Sequence, residues 1–167
     1  SMSGTTNYLN KGRRLVVDTM LLKRAAMHEF QPSEDDSAWR LLNLIWEICP
    51  HVVISPRQVN EIVPHFNREV GRRLEETVFV RALDEAGKAR RVSRSKATSR
   101  PLDEAATRFL KEIDSPSDVH LFETARVLDK VLLTADTELL KNRAELLKLT
   151  GVTVLGCEDV LDSFSGD

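Results

Sequence analysis

Val131-Leu132-Leu133-Thr134-Ala135-Asp136 and Arg14-Leu15-Val16-Val17-Asp18 are built alike: a short apolar run closing on a carboxylate. Runs this short, rich in branched side chains and with no polar alternation, read as strands buried on both faces. Two more runs, Val52-Val53-Ile54 and Val152 to Leu155, have the same character. Helical spacing fills the intervals. Leu21, Leu22, Ala25 and Ala26 form one stripe; Trp39, Leu42, Ile45, Trp46 and Cys49 form another, between Ser37 and Ile48. Ser55-Pro56-Arg57-Gln58 starts a third helix as a capping box with proline at the first helical position, and Val59, Ile62, Val63, Phe66 and Val70 continue it. A further helical stretch runs from Gly71 to about Ala86. Pro101 opens a helix through Ile113, and Ser115-Pro116-Ser117-Asp118 starts the next. One more spans Thr137 to Leu149, with Gly151 placed to end it, and a closing turn covers Glu158 to Phe164.

Strands alternating with helices predict a single α/β domain, a mostly parallel central sheet of about four to five strands flanked by helices. The 167 residues suffice for one such core without staples. Residues 1–12, which open on Ser-Met-Ser-Gly, read as a tag scar and flexible N-terminus, 13–164 as the domain and 165–167 as a tail. No apolar stretch approaches the ~20 residues of a membrane span. Cys49 and Cys157 stand far apart and flank no CxxC, so neither a zinc site nor a disulfide framework is indicated and the cytoplasm is the default compartment.

The net charge of −2 is unevenly distributed. Arg68 to Arg100 holds 10 basic and 5 acidic residues, so that segment is cationic and the remainder acidic. Within it, Gly87 to Arg100 carries Lys88, Arg90, Arg91, Arg94, Lys96 and Arg100 and no acid. Lacking apolar periodicity, it reads as a loop; a basic loop on an acidic protein points to a polyanion, with Arg90, Arg91, Arg94 and Lys96 as candidate phosphate contacts.

In a parallel sheet, Asp18 and Asp136 emerge at the same edge, where such sheets bind ligands. Asp118, about 30° from the centre of the Leu121/Phe122/Ala125/Leu128 stripe, can point to that edge from its helix entrance. Two like charges 5 Å apart repel by about 3 kcal/mol at an effective dielectric of ~20, so clustered carboxylates call for a proton or a divalent cation. Oxygen-only ligands favour Mg²⁺ or Mn²⁺. Helix capping explains each acid equally well when taken singly. Glu61 lies about 160° from the apolar stripe of its helix, which periodicity alone assigns to solvent.

Val16-Val17-Asp18-Thr19, Ile54-Ser55-Pro56 leading to Glu61-Ile62, Ser117-Asp118 with Ala125, and Leu133-Thr134-Ala135-Asp136 together resemble the PIN-domain family over roughly residues 13 to 164. The resemblance implies a PIN-like fold and a Mg²⁺- or Mn²⁺-dependent endoribonuclease, often the toxin of a toxin–antitoxin pair. It matches Asp18, Glu61, Asp118 and Asp136 to the metal-site acids and Thr134 to the hydroxyl that supports them. RNA, an antitoxin protein and a second copy of the chain are the partners it implies.

Other candidates carry less. Asp114 and Glu138 read as solvated acids near the site, and His28, His51, His65 and His120 have no ligand spacing. Trp39 and Trp46 read as core or a dimer face. A dehalogenase-like phosphatase needs a second acid two residues after the strand aspartate, where Met20 stands. The alternative to a nuclease is a non-catalytic PIN-like module that binds RNA or protein.

Overall fold

Alternation along β1 (Arg14–Val17) sends Val16 to one face and Leu15 and Val17 to the other, and all three are buried. The computed structural model describes residues 14–30, 32–48, 51–54, 58 and 89–165. After β1 come α1 (Thr19–Phe30), α2 (Ser37–Ile48), β2 (His51–Ile54), β3 (Ala89–Arg91), α3 (Arg94–Ala97) and α4 (Glu104–Glu112). A 3₁₀ turn (Pro116–Asp118) then leads into α5 (Val119–Arg126), β4 (Val131–Leu133), α6 (Thr137–Lys141), α7 (Arg143–Thr150), β5 (Thr153–Leu155) and α8 (Cys157–Ser165). The chain is α/β, a small parallel sheet flanked by helices.

The strands run in the order β3-β2-β1-β4-β5, every neighbouring pair parallel. The register places Val16 beside Leu132 and Leu132 beside Val154, a row across three strands. That row packs against Leu110 of α4, Leu121, Phe122 and Ala125 of α5, and Leu146 of α7, all essentially inaccessible to water. Helices α1, α2 and α8 form a second contacting group, α2 touching both others, with Leu21, Leu22, Ala25, Leu41 and Leu42 buried. Arg14 anchors the start of β1 to Asp129, 115 residues on, through a backbone hydrogen bond and a guanidinium–carboxylate pair at 3.3 Å.

Several local expectations need correction. The basic run is not a loop throughout: Ala89–Arg91 pairs with β2, and Ser93 caps a helical turn by accepting from the Lys96 N–H. Three edge residues show no readable alternation, and the strand is held by main-chain bonds. Helix α4 begins at Glu104, not at Pro101, because Asp103 caps it by accepting from Ala106 N at 2.9 Å. The expected 137–149 helix is two, α6 and α7, parted at Asn142, whose side chain bonds the Glu138 carbonyl. Ser115-Pro116-Ser117-Asp118 forms a 3₁₀ turn in which Ser115 makes no side-chain cap bond. The Ser55 cap, the helical stretches from 59 to 86 and Cys49 lie outside the described residues. Gly151 does end α7, at φ +76°.

Lys130 also adopts a left-handed backbone, φ +63°, where its N–H bonds Ala125 O and its carbonyl takes the Thr153 N–H. A Cβ is disfavoured in that conformation. Lys130→Gly is expected to stabilise the fold by about 0.5–1 kcal/mol, read from urea unfolding midpoints, because relief of strain exceeds the entropy glycine adds to the unfolded chain. No helix among the described residues is long and apolar enough to cross a membrane.

Candidate functional site

The order of strands reverses direction at β1: the chain moves from β1 to β2 and β3 on one side, then returns to β4 and β5 on the other. The crevice between the carboxyl ends of β1 and β4 is therefore the topological switch point, where open α/β sheets bind ligands. Asp18 follows β1 there, and Thr134 follows β4.

Their main chains extend the ladders by one step, with Asp18 N bonding Leu133 O at 2.8 Å and Thr134 N bonding Leu155 O at 2.9 Å. The side chains then meet. The Thr134 hydroxyl, fully buried, donates to Asp18 Oδ2 at 2.6 Å and accepts the Asp136 N–H at 3.0 Å. Asp18 Oδ1 accepts the Met20 N–H at 3.1 Å, at the start of α1. Asp136 caps α6, its Oδ1 accepting from Glu138 N at 2.8 Å and from Leu139 N at 3.4 Å. One hydroxyl thus ties together two carboxylates that follow separate strands.

Only 6% of Asp18 is exposed. Burial pushes its carboxyl above the ordinary 3.8; the hydrogen bonds from Thr134 and Met20 pull it back, and the nearby Asp136 charge raises it further. A desolvated carboxylate with a like-charged neighbour is an arrangement that a cation would relieve.

The structure brings together Asp18, Thr134 and Asp136. Asp118 is half-buried at the entrance to α5, a helix that packs on β1 and β4. Glu61 lies outside the described residues. Among the described residues, no group of three or more histidine, cysteine or acidic side chains is set to hold a metal ion. Arg90 and Arg91 sit on edge strand β3, and Arg94 and Lys96 are exposed on α3. Exposed Asp114 closes α4 at φ +59°, and exposed Glu138 pairs with Lys141. His28 accepts the Ser33 N–H and lies 5.3 Å, centroid to centroid, from Trp39. Cys157 is buried, which pushes its thiol up to about 11, so it behaves as a small apolar residue.

Gln58, read from sequence as part of a capping box, has another role. Fully buried, it donates from Nε2 to the carbonyl of Val17 at 2.6 Å, bracing the last residue of β1. No local signal points to a bond 41 residues away.

Compared with known proteins, the chain matches no family model, and neither a curated protein nor a solved structure matches it.

Proposed function

We propose that this chain is a divalent-metal-dependent endoribonuclease of PIN-like architecture. The observation that carries the reading is the Asp18–Thr134–Asp136 arrangement at the switch point: a buried carboxylate, a hydroxyl that fixes it, and a second carboxylate beside it. The donor chemistry suits Mg²⁺ or Mn²⁺. Every group is an oxygen, each Asp18 oxygen takes one hydrogen bond, and Asp136 Oδ2 takes none among the described residues. Asp18 and Asp136 would hold the ion, with Asp118 and Glu61 joining them by resemblance. When bound, such an ion supplies a nucleophilic water at neutral pH and neutralises charge on the phosphoryl oxygens.

The chain's own contributions are positional. Thr134 and Met20 hold Asp18 in one orientation, Gln58 braces the strand beneath it, and the Asp136 cap fixes the second carboxylate on α6. Water attack on the phosphodiester leaves 5′-phosphate ends and needs no nucleophilic side chain. The cytoplasm is the proposed compartment and RNA the substrate; the same resemblance proposes an antitoxin partner or a homodimer. A second reading, a non-catalytic RNA- or protein-binding module, draws on the cap, since Asp136 Oδ1 is already occupied by two N–H groups. Incubating the purified chain with generic single-stranded RNA, with and without Mn²⁺, separates the two: metal-dependent 5′-phosphate products support the nuclease, and binding without cleavage supports the module.

An acidic site repels phosphate, so a separate cationic surface must hold the strand. Arg94 and Lys96 are exposed and contribute nothing to the core. Replacing both by alanine is expected to weaken RNA binding and to flatten its salt dependence by about 1.4 units, at ~0.7 per single-strand phosphate contact. Folding stability should stay within about 0.5 kcal/mol of the parent, as for other surface substitutions. Binding titrations between 50 and 200 mM salt check this.

A further inference from the structure

Beyond the carboxyl ends of β4 and β5 lies a cavity of about 410 Å³, within the size range of small-ligand pockets. Thr134, whose buried hydroxyl orients Asp18, forms part of its wall, so the cavity adjoins the candidate site. Leu140 of α6 supplies an apolar surface, and four charged residues complete the wall that matters here: Asp35, Arg143, Glu158 and Asp159.

These charges are not equivalent. Arg143 is spent on Asp159, Nη1 to Oδ2 at 2.7 Å, and the same oxygen takes the Gly156 N–H. The O–H and N–H of Ser37 both donate to Asp35 Oδ1, which holds that carboxyl below the usual range. Glu158, exposed in the first turn of α8, makes no hydrogen bond or ion pair among the described residues. Among the described lining residues carboxylates outnumber the one cation, Arg143, which is paired with Asp159. Such a lining disfavours phosphate and favours a neutral, flat group rich in N–H donors.

We propose that this cavity is a nucleobase subsite beside the scissile bond, selective for guanine, with Glu158 as the specificity-determining residue. The proposal rests on the nuclease reading for the class of ligand. Guanine alone among the common bases presents two adjacent N–H donors, N1–H and the 2-amino group, on its pairing edge. One carboxylate accepts both, in the manner of the bidentate side-chain contacts that discriminate bases elsewhere. Leu140 covers part of the base, and the ribose-phosphate leads towards Asp18.

The test is equilibrium binding of free nucleosides to the full chain, followed by NMR shifts of the Thr134, Leu140 and Glu158 amides. Guanosine is expected to bind about tenfold more tightly than adenosine or uridine, with inosine, which lacks the 2-amino group, in between. Glu158→Gln, at an exposed position, should fold normally and lose that preference. Equal binding of all nucleosides, no binding, or an unchanged preference in Glu158→Gln overturns the proposal. Cleavage of RNA 12-mers with one guanosine, assayed separately with Mn²⁺, keeps the two readings apart. Cleavage indifferent to guanosine leaves the nuclease and removes the subsite; guanosine selection without cleavage of any RNA does the reverse.

Discussion

Asp18→Asn is expected to abolish metal-dependent RNA cleavage while leaving the fold as stable as the parent or more so. The asparagine retains nearly the same shape and still accepts one of the two hydrogen bonds made at Oδ1 and Oδ2. It removes the charge that burial disfavours. Loss of partners one shell out from a metal costs about 10–100-fold in affinity or activity, so losing a ligand should cost at least about a hundredfold. The stability effect has a defined sign. Because the folded-state pKa of Asp18 lies above 3.8, the folded chain holds this proton more tightly than the unfolded chain does. Its contribution to stability is therefore greatest below 3.8 and declines as pH rises through the elevated value. Denaturation curves of parent and variant from pH 3 to 7 should diverge in that direction, the parent losing ground to Asp18→Asn as pH increases. A variant less stable than the parent at pH 7, with cleavage intact, would reduce Asp18 to a helix cap.

The second large effect belongs to Thr134→Val. Valine matches threonine in shape but lacks the hydroxyl, so it fits the space and fails the hydrogen bonding. Two groups lose their partner at once: Asp18 Oδ2 loses a donor and the Asp136 N–H loses an acceptor. At about 1–3 kcal/mol for the buried carboxylate oxygen and about 1 kcal/mol for the part-buried Asp136 N–H, the expected destabilisation is about 2–4 kcal/mol. For a chain of this length that lowers the thermal midpoint by roughly 5–15 °C. Cleavage should fall as well, because the bond that pulls the Asp18 pKa down and fixes its orientation is gone. Thr134→Ser keeps the hydroxyl and should restore most of both. A Thr134→Val protein as stable and active as Thr134→Ser would show that the hydroxyl is incidental.

The parts of this molecule legible in its sequence are those written by burial. Val16, Val17, Leu132 and Leu133 are buried and announce β1 and β4 as apolar runs. Asp136 advertises its cap because the apolar helix pattern starts immediately after it, and Gly151 its left-handed turn because no other residue type adopts one so readily. Ala89–Arg91 is opaque for the opposite reason: its place in the sheet comes from main-chain pairing with β2, which leaves no periodic trace in three residues. The break at Asn142 is hidden because Leu139 and Leu146 keep helical spacing across it. At the site, the strand ends could be read, and so could the residue types upon them. The bond between Thr134 and Asp18, the bracing of Val17 by Gln58 and the cavity beyond β4 depend on which strands become neighbours, a long-range fact that local patterning does not encode.

The hydrogen bond from Thr134 to Asp18 spans 116 residues. A ribosome adding about 5–20 residues per second needs roughly 6–23 s to cover that distance. Through nearly all of that interval the nascent chain carries Asp18 with neither the hydroxyl that orients it nor β4, the neighbour of β1 on the side of the site. The site has no early precursor and is assembled late in synthesis. If the chain cuts RNA as proposed, this delay is a safeguard: the ribosomal and messenger RNA nearest the growing chain then face an incomplete site during those seconds.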